Sequence, residues 1–117
     1  MKYYGTMAEL PVAARPQPGV VKKVVFGPEH LAQEEQFVVR RFELEPGAGT
    51  TERHVHPWAH WMMVREGKCH ATVEGHLDEV LEADNWLFVP GGVPHTMYNE
   101  SKEEPAAFIC IVRPEGN

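Results

Sequence analysis

Short runs in which alternate residues are apolar, separated by brief polar turns, dominate this chain, and that period of two is the mark of half-buried β-strands. Residues 20–26 (VVKKVVF) predict a strand closed by Gly27-Pro28, and residues 37–45 predict the clearest one, stopped by Pro46-Gly47-Ala48-Gly49. Strands are predicted again at 60–65, 68–74, 76–82, 86–89, 95–99 and 107–112, with turn signals at Glu66-Gly67, Glu74-Gly75, Ala83-Asp84-Asn85 and Pro90-Gly91-Gly92. Residues 29–36 read as one helical turn or a loop. Residues 1–19 hold Pro11, Pro16, Pro18 and Gly19 and no period, so they read as an N-terminal arm, with a single domain over 20–117. Many short strands at close spacing predict an all-β sandwich or barrel.

Strand parity also exposes anomalies. In 37–45 one face reads Val38, Arg40, Phe42, Leu44, apolar except for Arg40. An arginine on an otherwise buried face needs a partner, because an uncompensated buried charge is costly. Two readings stay open: Arg40 reaches into the barrel to hold an anion, or it makes a salt bridge at the barrel end. In the last strand Phe108, Cys110 and Val112 share one face and Ile109 and Ile111 the other; both are apolar, so parity leaves the inward face undecided. His60, Met62 and Val64 share parity, which points Met62 inward with His60.

Composition narrows the setting. The chain has 117 residues, enough for one domain with a real core. A formal net charge of −6 and no basic patch argue against nucleic acid or an anionic membrane surface as partner. No apolar run approaches a membrane-spanning length. Cys69 and Cys110 match neither a Cys-x-x-Cys motif nor a disulfide framework, so a reducing, cytoplasmic setting is expected, with a Cys69–Cys110 bridge left open.

The candidate chemistry lies in the histidines. Three of them, His54, His56 and His60, fall within seven residues, and His95 follows in PGGVPHTMYN. Neutral imidazole is the commonest protein ligand for borderline divalent metals. Pro57 opposes a continuing helix, so a helical His56/His60 pair is not expected. In an extended chain His54 and His56 face the same way, and His60 rejoins them if a strand resumes after a turn at Pro57. The expectation is a metal centre built on strands, with Trp58, between two candidate ligands, as a wall. His30, His70 and His76 read as ordinary surface or core residues.

The two histidine segments resemble the paired motifs of the cupin superfamily. The first motif is a Gly-rich start, H-x-H, an acid three or four residues on, then six residues and Gly; Gly49, His54, His56, His60 and Gly67 fill it, with His60 in the acid's place. The second, P-x-G, two residues, H, three residues, N, is filled by Pro90, Gly92, His95 and Asn99. Ala48 and Asp84 stand where the motifs usually carry glycine. From Phe37 to Gly116 the chain resembles, more narrowly, the small single-domain manganese cupins with a four-histidine site. The features are Phe37-Val38-Val39-Arg40, Glu45-Pro46-Gly47, Arg53 to Trp58, Gly67-Lys68, Ile109-Cys110-Ile111 and the Pro-Glu-Gly tail.

The resemblance implies a double-stranded β-helix, or jelly-roll barrel, with a divalent transition metal inside. It implies manganese on His54, His56, His60 and His95, with iron, nickel or zinc as alternatives, and Cys110 facing the cavity. Four neutral imidazoles leave a divalent ion at +2, which favours anionic ligands. The expected function is a dioxygenase-type oxidoreductase acting on a small anionic, aromatic or alkenyl molecule. Arg40 and Cys110 are the candidate catalytic residues, and Phe42, Trp58, Met62 and Phe108 the pocket. A non-redox isomerase or lyase, and a small-molecule-binding protein without chemistry, are the alternatives. Family analogy and a free sheet edge imply a homodimer.

Overall fold

Nine antiparallel strands form two facing sheets in the computed structural model, which describes residues 5–27 and 37–117. The strands are β1 (Val20–Phe26), β2 (Val38–Leu44), β3 (Gly49–His54), β4 (His60–Glu66), β5 (Lys68–Val73), β6 (Leu77–Glu82), β7 (Trp86–Val89), β8 (His95–Tyr98) and β9 (Ala106–Val112). A five-stranded sheet runs β1-β2-β9-β4-β7 and a four-stranded sheet runs β3-β8-β5-β6. This is the all-β sandwich expected from the spacing of the strands, in the jelly-roll form that the resemblance implies, and no α-helix occurs among the described residues. The expectation at 29–36, with Pro28 and His30, lies outside the described residues, as does the start of the arm at 1–4.

The core lies between the sheets and follows the predicted parity. His60, Met62 and Val64 of β4 are buried while Trp61 and Met63 are exposed. Val38, Arg40 and Leu44 of β2 are buried and meet Val112, Cys110 and Ala106 of β9 in register. Cys69 and Cys110 are both free and buried, which closes the question of a bridge between them.

One strand carries no apolar alternation, although an extended chain is expected at its end, His54. The run predicted as a stop at Gly49 begins β3, which pairs Gly49 with Tyr98, Thr50 with Met97 and His54 with His95. Its residues are polar and mostly exposed, so no apolar alternation marks it. Gly49 is required there: a Cβ would stand 2.6 Å from the Tyr98 Cα, and its φ is +129°. At the second departure from the motifs, Asp84 itself takes the left-handed conformation, with φ +77°. Aspartate is among the few non-glycine residues that tolerate it.

Residues 5–19 turn back on the body of the protein. Ala14 bridges Lys22 of β1, and the Gln17 side-chain amide donates to Thr50 Oγ1 at 3.1 Å. That brings Pro16 and Gln17 to the mouth of the barrel.

Candidate metal centre

Between the sheets lies a cavity of about 260 Å³. Phe42, Leu44, Met62, Met97 and Phe108 give it apolar walls, Pro16, Gln17 and Thr50 its mouth, and Arg40 and the four motif histidines its polar groups. No aspartate or glutamate lines it among the described residues. The rings of Phe42 and Phe108 stack at 5.2 Å between centroids, and the Arg40 guanidinium lies 5.0 Å from the Phe42 ring centre.

His56, His60 and His95 converge: each offers one ring nitrogen, and these nitrogens lie within 4.8 Å of one another. The convergence depends on three elements. His60 opens β4 and His95 opens β8, each at a position whose parity points inward. His56 sits in the loop between β3 and β4. That loop is pinned to the 90–94 loop by a hydrogen bond from the Gly92 amide to the His56 carbonyl oxygen at 2.8 Å. Gly91 permits the approach, since a Cβ there would stand 2.2 Å from the Pro57 carbonyl oxygen. The Trp58 ring stacks on His56 at 5.2 Å. His54 is placed differently. It is exposed at the end of β3, its ring 6.5 Å from that of His95, and it lines the cavity from the rim without joining the three-histidine group.

The hydrogen bonds around the rings decide which nitrogen is available. His56 Nδ1 donates to the Trp58 carbonyl oxygen at 3.0 Å and His95 Nδ1 to the Val93 carbonyl oxygen at 2.9 Å. A carbonyl only accepts, so the hydrogen of each neutral ring is on Nδ1 and Nε2 keeps its lone pair. His60 Nδ1 lies 3.0 Å from Cys110 Sγ, and His60 Nε2 is buried without a partner among the described residues. A buried ring nitrogen left without a partner costs free energy unless something binds it. Burial, then the neighbouring His56, Arg40, His95 and His54, pushes the His60 pKa down to about 3. Burial chiefly, with His56 and His54, also lowers that of His95. Both rings are therefore neutral at pH 7, the state that ligates a metal. The donor set fits a divalent transition metal.

Cys110 links the site to Arg40. Its sulfur lies 3.0 Å from Arg40 Nη2, which donates to it, while Arg40 Nη1 donates to the Gly116 carbonyl oxygen at 3.1 Å. Arg40 Nε is buried without a partner, and no carboxylate pairs with Arg40 among the described residues. Among the described residues this charge is buried at the cavity wall and meets no acid. Burial pushes the Cys110 thiol up, against the pull of Arg40.

All ten residues singled out from the sequence, Arg40, Phe42, His54, His56, Trp58, His60, Met62, His95, Phe108 and Cys110, line this one cavity. Sequence reasoning missed Pro16 and Gln17, whose only signal was the proline-rich arm, and Thr50, on a strand without apolar alternation.

A jelly roll with inward histidines on the β3–β4 segment and on β8 defines a class of small barrels built around a metal-competent cavity. Residues 40–112 match the family described as Cupin domain, and the chain belongs to that family. A stretch of 69 residues, 58% of the chain, is 32% identical to a mannose-1-phosphate guanylyltransferase of Salmonella montevideo, of which it spans only 14%. The polyketide cyclase RemF of Streptomyces resistomycificus superposes with a TM-score of 0.79 at 21% identity, covering 97% of this chain and 82% of that one. TT1209 of Thermus thermophilus superposes with a TM-score of 0.66 at 29% identity, covering 86% of this chain and 90% of that one.

Proposed function

We propose that this cupin is a metal-dependent oxidoreductase of the dioxygenase type, acting on a small anionic, aromatic or alkenyl substrate. The observation that carries the reading is the pairing of three freed imidazole nitrogens with a buried, acid-free Arg40 in one apolar cavity. His56, His60 and His95 would hold the metal, with His54, at the rim, as the candidate fourth donor. We assign manganese on the resemblance to four-histidine manganese cupins, because nitrogen donors alone rank nickel, copper and zinc above it. Once bound, the ion supplies Lewis-acid and electron-transfer chemistry.

The chain's own residues do the rest. Arg40 attracts the anionic group of the substrate, whose charge supplies the compensation that no carboxylate provides. Phe42 and Phe108 hold an aromatic or alkenyl body by burying its faces. Cys110 fixes the Arg40 fork and the His60 ring together. Gln17, Thr50 and Pro16 narrow the mouth and limit water. Among the described residues no carboxylate that could serve as a general base for hydrolysis lines the wall, which favours redox or Lewis-acid chemistry. Two free thiols suit a reducing compartment, and we place the protein in the cytoplasm.

One observation favours a second reading, non-redox isomerase or lyase chemistry: the relatives above are named for a guanylyl transfer and a cyclisation, not for an oxidation. The deciding experiment measures metal by mass spectrometry in protein isolated from its own host, then oxygen uptake with catecholates and aryl alkenes. About one manganese or iron per chain with substrate-dependent uptake supports the oxidoreductase. Zinc or nickel, with turnover unchanged in the absence of oxygen, replaces it with the second reading.

A further inference from the structure

The Pro-Glu-Gly run that follows β9 forms a single 3₁₀ turn, Pro114–Gly116, and Gly116 reaches the cavity wall. Its carbonyl oxygen accepts from Arg40 Nη1 at 3.1 Å, a contact between residues 76 apart in the chain. Its other side lies against the Trp58 indole. A Cβ built on Gly116 would stand 2.5 Å from Trp58 Nε1, 2.9 Å from Trp58 Cδ1 and 2.5 Å from Val112 Cγ2. Side-chain atoms do not pack that closely, since nonbonded carbon pairs rest at about 3.5–4.0 Å. The indole in turn stacks on the His56 ring, with centroids 5.2 Å apart and planes 10° from parallel. Gly116 therefore meets, on one side, the cation that faces the cavity and, on the other, the ring that backs a metal-competent histidine.

We infer that Gly116 is a positioning residue for this site: its carbonyl sets the plane of the Arg40 guanidinium, and its lack of a side chain lets Trp58 lie flat on His56. The inference deepens, and rests on, the reading of the cavity as an anion site beside a metal. Geometry is the first argument. A guanidinium is a rigid planar fork, so two acceptors fix its orientation. The Gly116 carbonyl holds Nη1, Cys110 Sγ holds Nη2 at 3.0 Å, and both acceptors come from β9 and the turn that follows it. Charge is the second argument. A carbonyl satisfies a donor without cancelling the cation, whereas a carboxylate in its place would neutralise Arg40 and leave less attraction for an anionic ligand. The third argument is the build of the turn itself. Pro114 presets its first φ, the Gly116 amide donates to the Arg113 carbonyl oxygen at 2.9 Å, and Arg113 Nε donates to Glu115 at 2.7 Å. The turn springs from Val112, which is fully buried, so Gly116 is presented to the cavity in one fixed pose.

The test is nitrogen–proton NMR of the metal-free full chain in wild type and Gly116→Ala, with the Trp58 indole signal assigned by its loss in Trp58→Phe. The added methyl should shift the Trp58 Nε1–H and the buried Arg40 Nε–H, while the indole signals of Trp61 and Trp86, both exposed, hold still. In manganese-loaded protein Gly116→Ala should bind oxalate about tenfold more weakly, the loss expected when a charge-assisted hydrogen bond is misaligned. That loss should be smaller in a Trp58→Phe background, where the indole atoms in the way are gone. Unmoved Trp58 and Arg40 signals in Gly116→Ala overturn the inference, as does an equal loss of oxalate affinity in both backgrounds. Should Gly116→Ala not fold, Trp58→Phe alone decides: a shifted Gly116 amide signal supports the contact, and an unmoved one refutes it. If the wild type binds neither manganese nor oxalate, the functional reading fails, and the metal-free shifts still support or refute the placement of Trp58 and Arg40 by Gly116.

Discussion

His60 Nδ1 and Cys110 Sγ stand 3.0 Å apart, across the register that sets β4 against β9. The sulfur also receives Arg40 Nη2 at 3.0 Å and lies 4.0 Å from the Ile111 carbonyl oxygen, the acceptor available to the thiol hydrogen. If His60 binds through Nε2, its hydrogen must be on Nδ1, and the sulfur accepts from both sides. Partners of this kind orient a ligating ring, and their loss typically weakens metal binding about 10–100-fold. Cys110→Ala should therefore weaken manganese binding by about that factor in a chelator competition, with the β-sheet signal retained. Cys110→Ser should lose less, because a hydroxyl can still accept. Equal affinity in wild type and Cys110→Ala would remove the positioning role.

Arg40 separates two effects of opposite sign. Its charge lies beside the histidine group and is one of the causes that lower the His60 pKa. Removing it in Arg40→Gln should leave metal affinity unchanged or raise it, because a cation no longer repels the ion. Binding of a small carboxylate such as oxalate to the metal-loaded protein should weaken by about tenfold or more, the loss expected for a charge-assisted hydrogen bond. Isothermal titration of each ligand reads both. A variant that loses metal and anion together would mark Arg40 as structural only.

The sequence showed most of the site because His60 and His95 lie on strands and the parity of β4 is readable. His60, Met62 and Val64 point inward together, as their period of two requires. Other features had no local signal. β3 is a polar edge strand, so alternation could not reveal it, and its register comes from contacts with β8 far along the chain. His54 and His56 share parity, yet the chain leaves its strand after His54, so only His56 joins the cluster. Arg41, on the opposite face of β2, is as buried as Arg40 and pairs there with Glu43 and Glu66. Gln17 reaches the cavity through the fold-back of the arm, a tertiary contact that propensity does not encode.

His70, read from sequence as an ordinary histidine, clasps three elements together. Its Nε2 meets Asp78 of β6 at 2.6 Å, its Nδ1 meets Glu100 beyond β8 at 2.9 Å, and its ring stacks on Tyr98. Asp78 first, then Glu100, raise its pKa above the ordinary 6.5. The folded state thus keeps a proton that the unfolded state releases. The stabilisation is fully present below about pH 6.5 and fades as pH rises through the raised folded value. Partly exposed pairs of this kind contribute up to about 1 kcal/mol. Urea unfolding of wild type minus His70→Gln should show a difference that shrinks from pH 6 to pH 9. A difference that is flat or grows with pH would contradict the clasp.

Asn99 closes the second histidine motif, and its role is structural. It is fully buried. Its side-chain amide donates to the Glu104 carbonyl oxygen at 2.7 Å and lies 3.4 Å from those of Leu44 and Glu45. Its side-chain oxygen accepts from the Ser101 amide at 3.1 Å. One residue thus joins the end of β2 to the loop between β8 and β9, four residues beyond His95. Asn99→Leu keeps the volume but leaves several buried groups unsatisfied, each costing about 1–3 kcal/mol, so a loss of about 2–4 kcal/mol is expected at any pH. Asn99→Asp replaces the donor by a carboxylate facing three carbonyl oxygens. Its folded pKa must then rise above the unfolded value of about 3.9, so the penalty grows as pH climbs from that value to the raised one and shrinks in acid. Urea midpoints at pH 5 and pH 7 test this. The Asp variant should approach wild type more closely at pH 5, while the Leu variant keeps a constant deficit. An Asp variant as stable as wild type at pH 7 would show that the amide donor does not hold the loop.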